Sequence, residues 1–213
     1  MNFDELTSFL EKRVQNSLPG DFAHQKMKPK LPSGAPLKMT HATPPRKGGV
    51  LILLYEDDGM VRFPLIERPS YEGIHSGQMA LPGGRYEQED LDQYHTALRE
   101  SEEEIGINRH DIEIIGSLSE FFVAASNYMV LPVIGKIEKK PSFIPEPREV
   151  ADIVTPEFGQ LIDDARLKEK EITVRNGFKM ICPYYDLEDR VVWGATAMML
   201  SELVEIMKEY PTR

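Results

Sequence analysis

The chain has 213 residues, with a hydrophobic fraction of 41% and a charged fraction of 28%, which is typical of a globular protein with a sizeable core. Its formal net charge of -10 argues against general nucleic-acid binding, because nothing offsets repulsion from the phosphates. No stretch reaches the roughly 18 uninterrupted apolar residues of a membrane span, and the start lacks the apolar run of a signal peptide. A single cysteine cannot form an internal disulfide. We therefore expect a cytoplasmic protein that binds neither nucleic acid nor membrane.

Residues 1–45 are expected to form a helix and a proline-rich basic arm, followed by one domain over residues 46–213. Apolar residues recur at helical spacing within residues 2–17, at Phe3, Leu6, Phe9, Leu10 and Val14. The next stretch, residues 18–47, is rich in proline and carries the basic residues Lys26, Lys28, Lys30, Lys38, Arg46 and Lys47. This composition predicts an extended, solvated arm rather than a domain core. Guidance of an anionic substrate is the alternative role.

Strand patterns dominate the rest of the chain. The run Val50 to Tyr55 predicts a buried strand, Asp58-Gly59 a tight hairpin turn, and Val61 to Ile66 the returning strand. The stretches "IEIIGSLSEFFV" and "NYMVLPVIGKI" predict two more strands, and "PSFIPEPREVADIV" a proline-rich loop that runs into another.

Helices are few and separated in the second half of the chain. A short helix with Thr155 as its N-cap, a hairpin turning at Asn176-Gly177 and a closing amphipathic helix in "GATAMMLSELVEIMKEY" complete it. Since strands outnumber helices, the pattern indicates an α+β layered domain.

An acidic helix follows a glycine-rich loop near the middle of the chain. At about 100° per residue, Glu104 lies about 40° from Glu100 and Glu103 about 60° from it on the other side, whereas Glu102 points away. Three convergent carboxylates are the oxygen ligands that Mg²⁺ or Mn²⁺ prefers, and the ion would relieve their repulsion. A plain solvated face is the alternative. The two glycines Gly83 and Gly84 allow close approach of backbone to a ligand, so a carbonyl there could complete the site.

These residues resemble the Nudix box, G-x5-E-x7-R-E-U-x-E-E-x-G-U, in which U is a bulky apolar residue. Its second half matches from Arg99 to Ile107 if Ser101 is allowed for the first U. The first half departs, because Arg85 and Leu91 stand where the glycine and the glutamate are expected, and the glycine is one residue early at Gly84.

The longer loop is similar to that of the coenzyme A pyrophosphatase-like branch of this family. Residues that fit include Pro82-Gly83-Gly84, Asp90 and Thr96-Ala97, and "VVWGATAMML" is similar to a closing V-W-G-x-T-A segment of that branch. The upstream "ERPSYEGIHSGQMALPGG" matches at Arg68 and Gly77 but has Pro69 for a serine and Gly73 for an arginine. The resemblance covers about residues 46–208.

The resemblance implies a Nudix-type α/β/α sandwich with a mixed β-sheet, and it implies roles for individual residues. Glu100 and Glu104 are expected to bind a divalent ion, Mg²⁺ or Mn²⁺, together with the carbonyl of Gly84. Glu103 is expected to bind a further ion or to act as a base through water, and Arg99 to orient the carboxylates. Glu149 is the candidate general base on a distant loop, with Glu120 as the alternative. Candidate substrate-binding residues are Arg68, Gly83 and His75, although a backbone-bonded loop histidine is the alternative for His75.

The implied activity is cleavage of the diphosphate bond of a small nucleoside diphosphate derivative. Coenzyme A or its thioesters are the first candidates, giving 3′,5′-ADP and 4′-phosphopantetheine. ADP-ribose or another nucleoside diphosphate derivative is the first alternative, and a degenerate nucleotide-binding module without turnover is the second. The oligomeric state stays open, with a homodimer as one option.

Overall fold

The structure, a computed structural model, describes residues 1–33, 40–69, 77–174 and 177–211. Its helices are α1 (Phe3–Arg13), α2 (Asp21–His24), α3 (Gln93–Ile105), α4 (Phe158–Leu161) and α5 (Gly194–Met207). Its strands are β1 (Arg46–Asp57), β2 (Met60–Arg62), β3 (Leu65–Glu67), β4 (Met79–Ala80), β5 (Gly83–Arg85), β6 (Glu113–Ser117), β7 (Phe121–Val123), β8 (Tyr128–Lys136), β9 (Asp152–Val154), β10 (Leu167–Val174), β11 (Phe178–Leu187) and β12 (Arg190–Trp193).

The central sheet is mixed and is organised around β1. This strand pairs with β8 in parallel along one edge, and with β2 and β5 antiparallel along the other. Strands β6 and β7 pair antiparallel with successive parts of β8. The predicted turn at Asp58-Gly59 joins β1 to β2, and both residues have the positive φ angles that such a turn requires.

Helices cover both faces of the central sheet. Leu51 and Leu53 of β1 pack in one buried cluster with Ala97 and Ile105 of α3. Ile52, the alternate residue, packs in a second cluster with residues of α1 and α5. Side chains alternate along a strand, so a continuous apolar run is needed when both faces are covered. This layering confirms the α+β sandwich with a mixed sheet.

Two smaller sheets flank the central one. One has the order β4-β3-β9 and the other the order β10-β11-β12, all antiparallel. The sheet β4-β3-β9 leads directly into the glycine loop, because only Leu81 and Pro82 separate β4 from β5. It therefore positions the loop that precedes α3.

The expectation that residues 18–47 form a solvated arm is wrong for the first part of that stretch. Ala23, His24 and Met27 are buried against α5 and the core. The buried Glu202 carboxylate of α5 accepts hydrogen bonds from the Gly20 N–H at 2.8 Å and from the His24 ring at 3.2 Å. Buried polar groups need such partners, so the segment is fixed to α5.

Three local expectations also differ from the structure. The stretch "IEIIGSLSEFFV" forms two strands, β6 and β7, rather than one. The run Val61 to Ile66 is likewise divided between β2 and β3, which lie in different sheets. The N-cap of α4 is Glu157 rather than Thr155, without a side-chain capping bond. The hairpin between β10 and β11 is present, but Asn176 lies outside the described residues.

Within the described ranges, none of the helices is both long and apolar enough to cross a bilayer.

Candidate active site

The acidic helix α3 presents its carboxylates at the boundary between the core and the glycine loop. Asp92 caps its N-terminus by accepting a hydrogen bond from the His95 N–H at 2.9 Å. The helix ends at Gly106, whose φ of 70° is the left-handed conformation that favours glycine. Thr96, Ala97, Ser101 and Ile105 are buried, which fixes the rotation of the helix about its axis.

Glu104 is the most deeply buried acid of the helix, with 2% of its surface exposed. Its Oε2 accepts a hydrogen bond of 2.7 Å from the Gly83 N–H. Burial raises the pKa of Glu104 from its usual 4.5 to about 7, although this hydrogen bond and the Arg68 guanidinium favour the charged form. The nearby charges of Glu100 and Glu149 raise the pKa of Glu104 further. The site therefore holds a carboxyl group that titrates near neutral pH.

Gly84 makes room for the second carboxylate, that of Glu100. A Cβ atom at Gly84 would lie 2.4 Å from the Glu100 carboxyl carbon, so any other residue at this position would displace the Glu100 carboxylate. Burial also raises the pKa of Glu100, and the charges of Glu103 and Glu149 act in the same direction while Arg99 opposes them. The glycine loop and α3 are thus in direct contact at Glu100.

A buried carboxylate, Asp90, holds the arginine of α3 in place. Asp90 is 3% exposed and accepts hydrogen bonds from Arg99 Nε at 2.9 Å and from a terminal guanidinium nitrogen at 3.0 Å. Thr96 Oγ1 at 2.8 Å and the His95 ring at 3.1 Å also donate to it. The bonds from Arg99 hold the pKa of Asp90 well below its usual range. Arg99 is consequently fixed on one side and free to bind other carboxylates on the other.

Arg99 distributes its remaining donors over the acids of α3. It donates to Glu100 Oε1 at 3.1 Å, to Glu103 Oε2 at 3.0 Å and to the Arg85 carbonyl at 3.0 Å. Glu103 is exposed and lies on the Arg99 side of the helix, away from Glu104. Glu102 instead pairs with Arg109, 3.4 Å away, beyond the end of the helix. The four glutamates are therefore in distinct environments.

A distant loop brings Glu149 to the same end of α3. The Ile144 N–H donates to the Ile105 carbonyl at 2.9 Å, and the Glu146 N–H donates to the Glu104 carbonyl at 3.0 Å. These bonds satisfy carbonyls that a helix leaves unpaired in its last turn. Glu149 is exposed, and its charge influences both Glu100 and Glu104.

The remaining candidate residues divide into those near the carboxylates and those elsewhere. Arg68 lies near enough to Glu104 to favour its charged form, and Gly83 touches that carboxylate directly. Glu120 is exposed and follows Ser119, whose N–H and hydroxyl bind Glu202 of α5. His75 and Gly73 are outside the described residues.

The carboxylate and carbonyl oxygens of this site suit a hard divalent cation, although the described carboxylates do not converge on one point. Among the described residues, no three acidic, histidine or cysteine side chains form a ready cluster for a metal ion. The chemistry fits all the same, because Glu100 and Glu104 offer carboxylate oxygens beside a glycine that leaves space next to them. The carbonyl oxygen of Gly84 lies against β1, 2.5 Å from where a Cβ on Gly48 would stand. Its role as a ligand remains a prediction.

Comparison with known proteins identifies the family. The NUDIX domain model matches residues 45–173, which is more than half of the chain. The chain belongs to the Nudix family. Nudix hydrolase 15, mitochondrial, of Arabidopsis thaliana is 36% identical over 174 residues, covering 78% of this chain and 60% of that protein. Nudix hydrolase 22, chloroplastic, of the same plant is 34% identical over 174 residues, covering 78% and 57%. The chain thus spans about 60% of the length of these two Nudix relatives.

A solved Nudix structure shares the fold. A Nudix hydrolase from M. smegmatis, RenU, matches with a TM-score of 0.55 and 16% identity, covering 87% of this chain and 96% of that one. At this identity the likeness concerns the fold alone. It supports the sandwich architecture found here.

Asp90 is the site residue whose role the sequence reasoning missed. The Nudix box expects a glutamate where this chain has Leu91, which is 86% exposed. The glycine and the acid are both one residue early, at Gly84 and Asp90, so their mutual spacing is that of the box. The stretch between this acid and Arg99 is one residue longer than in the box, and the acid is an aspartate, whose side chain is shorter than that of glutamate. The equal displacement of the glycine was the signal that could have identified Asp90.

Proposed function

We propose that this Nudix protein is a hydrolase that uses Mg²⁺ or Mn²⁺ to cleave the diphosphate bond of a small nucleoside diphosphate derivative. One observation carries this proposal: two carboxyl groups with raised pKa, Glu100 and Glu104, lie beside a glycine loop that contacts both of them. Perturbed carboxylates next to open backbone are typical of functional sites. Membership of the Nudix family supports the same activity.

Glu100, Glu104 and the Gly84 carbonyl are the groups proposed to hold the cation, with Glu103 available for a further one. A divalent cation bound there would neutralise charge on the diphosphate oxygens and lower the pKa of the attacking water. Arg99 fixes the orientation of Glu100 through its bond to Oε1, and Asp90 fixes Arg99. The precise placement of carboxylates thus depends on the Asp90–Arg99 pair.

The water that attacks needs a base, and Glu149 is the proposed one. It lies on a loop bonded to the last turn of α3, and its charge influences Glu100 and Glu104. Its carboxylate would take a proton from the water while the water oxygen bonds to one phosphorus and the bridging P–O bond breaks. Arg68 is proposed to bind the phosphate oxygens, since a guanidinium suits them. Glu120, which is also exposed, is the alternative base.

The activity is tested by incubating the purified protein with a panel of nucleoside diphosphate derivatives and Mg²⁺ or Mn²⁺. Two products, each carrying one phosphate of the cleaved diphosphate bond and identified by mass, are the expected result. Absence of turnover together with tight, metal-independent nucleotide binding would support the alternative of a binding module instead.

Coenzyme A is the substrate we propose first. The glycine loop retains the longer form of the coenzyme A pyrophosphatase-like branch, Asp90 closes it, and the "VWGATA" segment is also present. We expect kcat/KM for coenzyme A to exceed that for ADP-ribose, with 3′,5′-ADP and 4′-phosphopantetheine as products. A preference for ADP-ribose of about tenfold, or about 1.4 kcal/mol, would transfer the proposal to that substrate class.

The departures from the branch pattern make this comparison necessary. Gly73 supplies no charge where an arginine is expected, and Lys26, a candidate to compensate, is engaged in an ion pair with Glu205 of α5. Dephospho-coenzyme A is the matched control for the contribution of the 3′-phosphate.

Location in the cytoplasm is likewise a proposal, whereas the two plant relatives are named as mitochondrial and chloroplastic proteins.

Millimolar Mg²⁺ or Mn²⁺ is expected to raise the melting temperature, because a ligand of the folded state stabilises it. Replacing both Glu100 and Glu104 by Gln should remove this shift, whereas Glu102→Gln should preserve it. Metal affinity should rise as the pH is raised through about 7, since a metal ligand must be deprotonated and Glu104 has a pKa of about 7. Differential scanning fluorimetry at several pH values measures both effects. A shift that survives in the double variant would place the ion elsewhere.

A further inference from the structure

Three basic side chains without acidic partners lie where β1, β5 and β8 meet. Arg46 and Lys47 begin β1, Arg85 ends β5, and all three are exposed. None of them forms an ion pair with an acid in the part of the chain that the structure describes. By contrast, Lys136 at the far end of β8 binds Glu113 at 3.1 Å. In a protein with a net charge of -10, these neighbouring cations form a local surface of the opposite sign.

Two of these cations, Arg46 and Arg85, lie on the same face of the central sheet. Arg46 is on the face of β1 that carries Ile52, because side chains alternate along a strand, whereas Lys47 is on the face that α3 covers. Arg85 pairs directly with Gly48, and directly paired residues share a face. Diagonal neighbours across such a pair are about 7–8 Å apart. The side chains of Arg46 and Arg85 are therefore long enough to meet at one small anion.

Tyr128 holds Arg46 in place. It stands beside Arg46 in the parallel register of β1 and β8, and its ring centroid is 4.2 Å from the guanidinium carbon. Arg46 Nη2 also donates to the Ser126 carbonyl at 3.3 Å. A guanidinium stacked on a ring is pre-organised, and its remaining N–H groups stay available in its plane. We call Arg46, Arg85 and Tyr128 the arginine site.

Gly48 lies between the two arginines and connects the arginine site to the glycine loop. A Cβ atom at Gly48 would lie 3.6 Å from the Tyr128 ring and 2.5 Å from the Gly84 carbonyl oxygen. Any side chain there would displace the Gly84 backbone and stand between the arginines. Because the Gly84 carbonyl is a proposed ligand of the cation, the arginine site borders the cation site at this point.

We propose that the arginine site binds a phosphate group of a nucleotide. Two guanidinium groups suit the oxygens of a phosphate dianion, since each can donate two parallel hydrogen bonds. Two sources share this chemistry: a phosphate of the substrate remote from the cleaved bond, and a separate nucleotide. Only the first source rests on the proposed function. Arg46 and Arg85 serve recognition in both cases and take no part in bond cleavage.

Calorimetric titration with 3′,5′-ADP, without divalent cations, tests phosphate binding independently of turnover. We expect saturable binding of 3′,5′-ADP and none of adenosine. Arg46→Ala and Arg85→Ala should each weaken binding about tenfold, the usual size of a lost charge-assisted hydrogen bond. Melting temperatures check that both variants are folded.

Lys47→Ala is the matched control, because Lys47 is adjacent, exposed and equally charged but lies on the other face of β1. Its dissociation constant should stay within about twofold of the wild type, since its charge is not directed to the site. Equal losses in the three variants would show diffuse attraction by the surface and overturn the proposal. Equal binding of adenosine, or no binding of 3′,5′-ADP at millimolar concentration, would overturn it as well.

Inhibition kinetics with coenzyme A and Mg²⁺ distinguish the two sources. Competitive inhibition by 3′,5′-ADP, with a raised KM and nearly unchanged kcat in Arg46→Ala, assigns the site to the substrate. Noncompetitive inhibition with an unchanged KM assigns it to a separate nucleotide. Equal inhibition constants for the wild type and Arg46→Ala would contradict the proposal. If coenzyme A is not hydrolysed, the calorimetric result still stands, so failure of the proposed function is distinguishable from failure of the arginine site.

Discussion

Replacing Glu104 by Gln is expected to lower turnover by on the order of 10²-fold or more, because the substitution removes a charge from the proposed cation site while it keeps the shape. The Gly83 N–H can still donate to the amide oxygen of Gln, so the loop should stay in place. Steady-state hydrolysis of the best substrate measures the loss, and circular dichroism checks the fold.

Glu102→Gln is the control for this experiment. It changes the same charge on the same helix, but Glu102 pairs with Arg109 away from the site. We expect its turnover to stay within about twofold of the wild type, since surface substitutions have small effects. Equal losses in the two variants would show that charge on the helix, rather than the position of Glu104, is what matters.

The Glu104→Gln and Glu102→Gln variants should also differ in how the free energy of unfolding depends on pH. The pKa of Glu104 is raised in the folded protein, so the folded state binds more protons than the unfolded state between pH 4.5 and about 7. The wild type should therefore lose free energy of unfolding as the pH rises through this window without divalent cations. Glu104→Gln should show a smaller loss, because only Glu100 then keeps a raised pKa among these two carboxyl groups, whereas Glu102→Gln should retain the full loss.

The helix, strand and turn that build the site were predictable from the sequence, because each depends on residues that are close together in the chain. The helical spacing of Ala97, Ser101 and Ile105 identified the buried stripe of α3, and it correctly separated Glu102 from Glu104. The apolar run of β1 and the Asp58-Gly59 turn were also predicted, since strand burial and turn chemistry are local properties.

Contacts between distant parts of the chain were not predictable in this way. His24 binds Glu202 across a separation of 178 residues, and nothing in the composition of the proline-rich stretch indicates that pairing. The position of Glu149 likewise depends on backbone bonds from residues 144 and 146 to the end of α3. Proline and lysine content favours a solvated arm, but buried contacts with α5 overrode that preference for the first part of the stretch.

The hydrogen bonds around Asp90 explain how the longer loop keeps the geometry of the acids. Arg99 would otherwise be free to swing between Glu100 and Glu103, both of which it binds. Asp90 accepts hydrogen bonds from two nitrogens of Arg99. Asp90 also accepts one from the hydroxyl of Thr96, which lies on α3 one turn before Arg99. The loop and the helix therefore share one buried ion pair that orients the proposed cation ligands.

Asp90→Asn is expected to reduce the free energy of unfolding at neutral pH by about 3 kcal/mol, because it removes the buried carboxylate charge that pairs with two donors of Arg99. The amide also places an N–H group against the Arg99 donors. Turnover should fall as well, since Arg99 then holds Glu100 less firmly. Urea denaturation followed by Trp193 fluorescence measures the stability, with Glu89→Gln as the control, an exposed acid one residue away that should change it by less than about 0.5 kcal/mol. Similar values for the two variants would mean that Arg99 is held by Glu100 and Glu103 alone, and that the longer loop merely covers the helix.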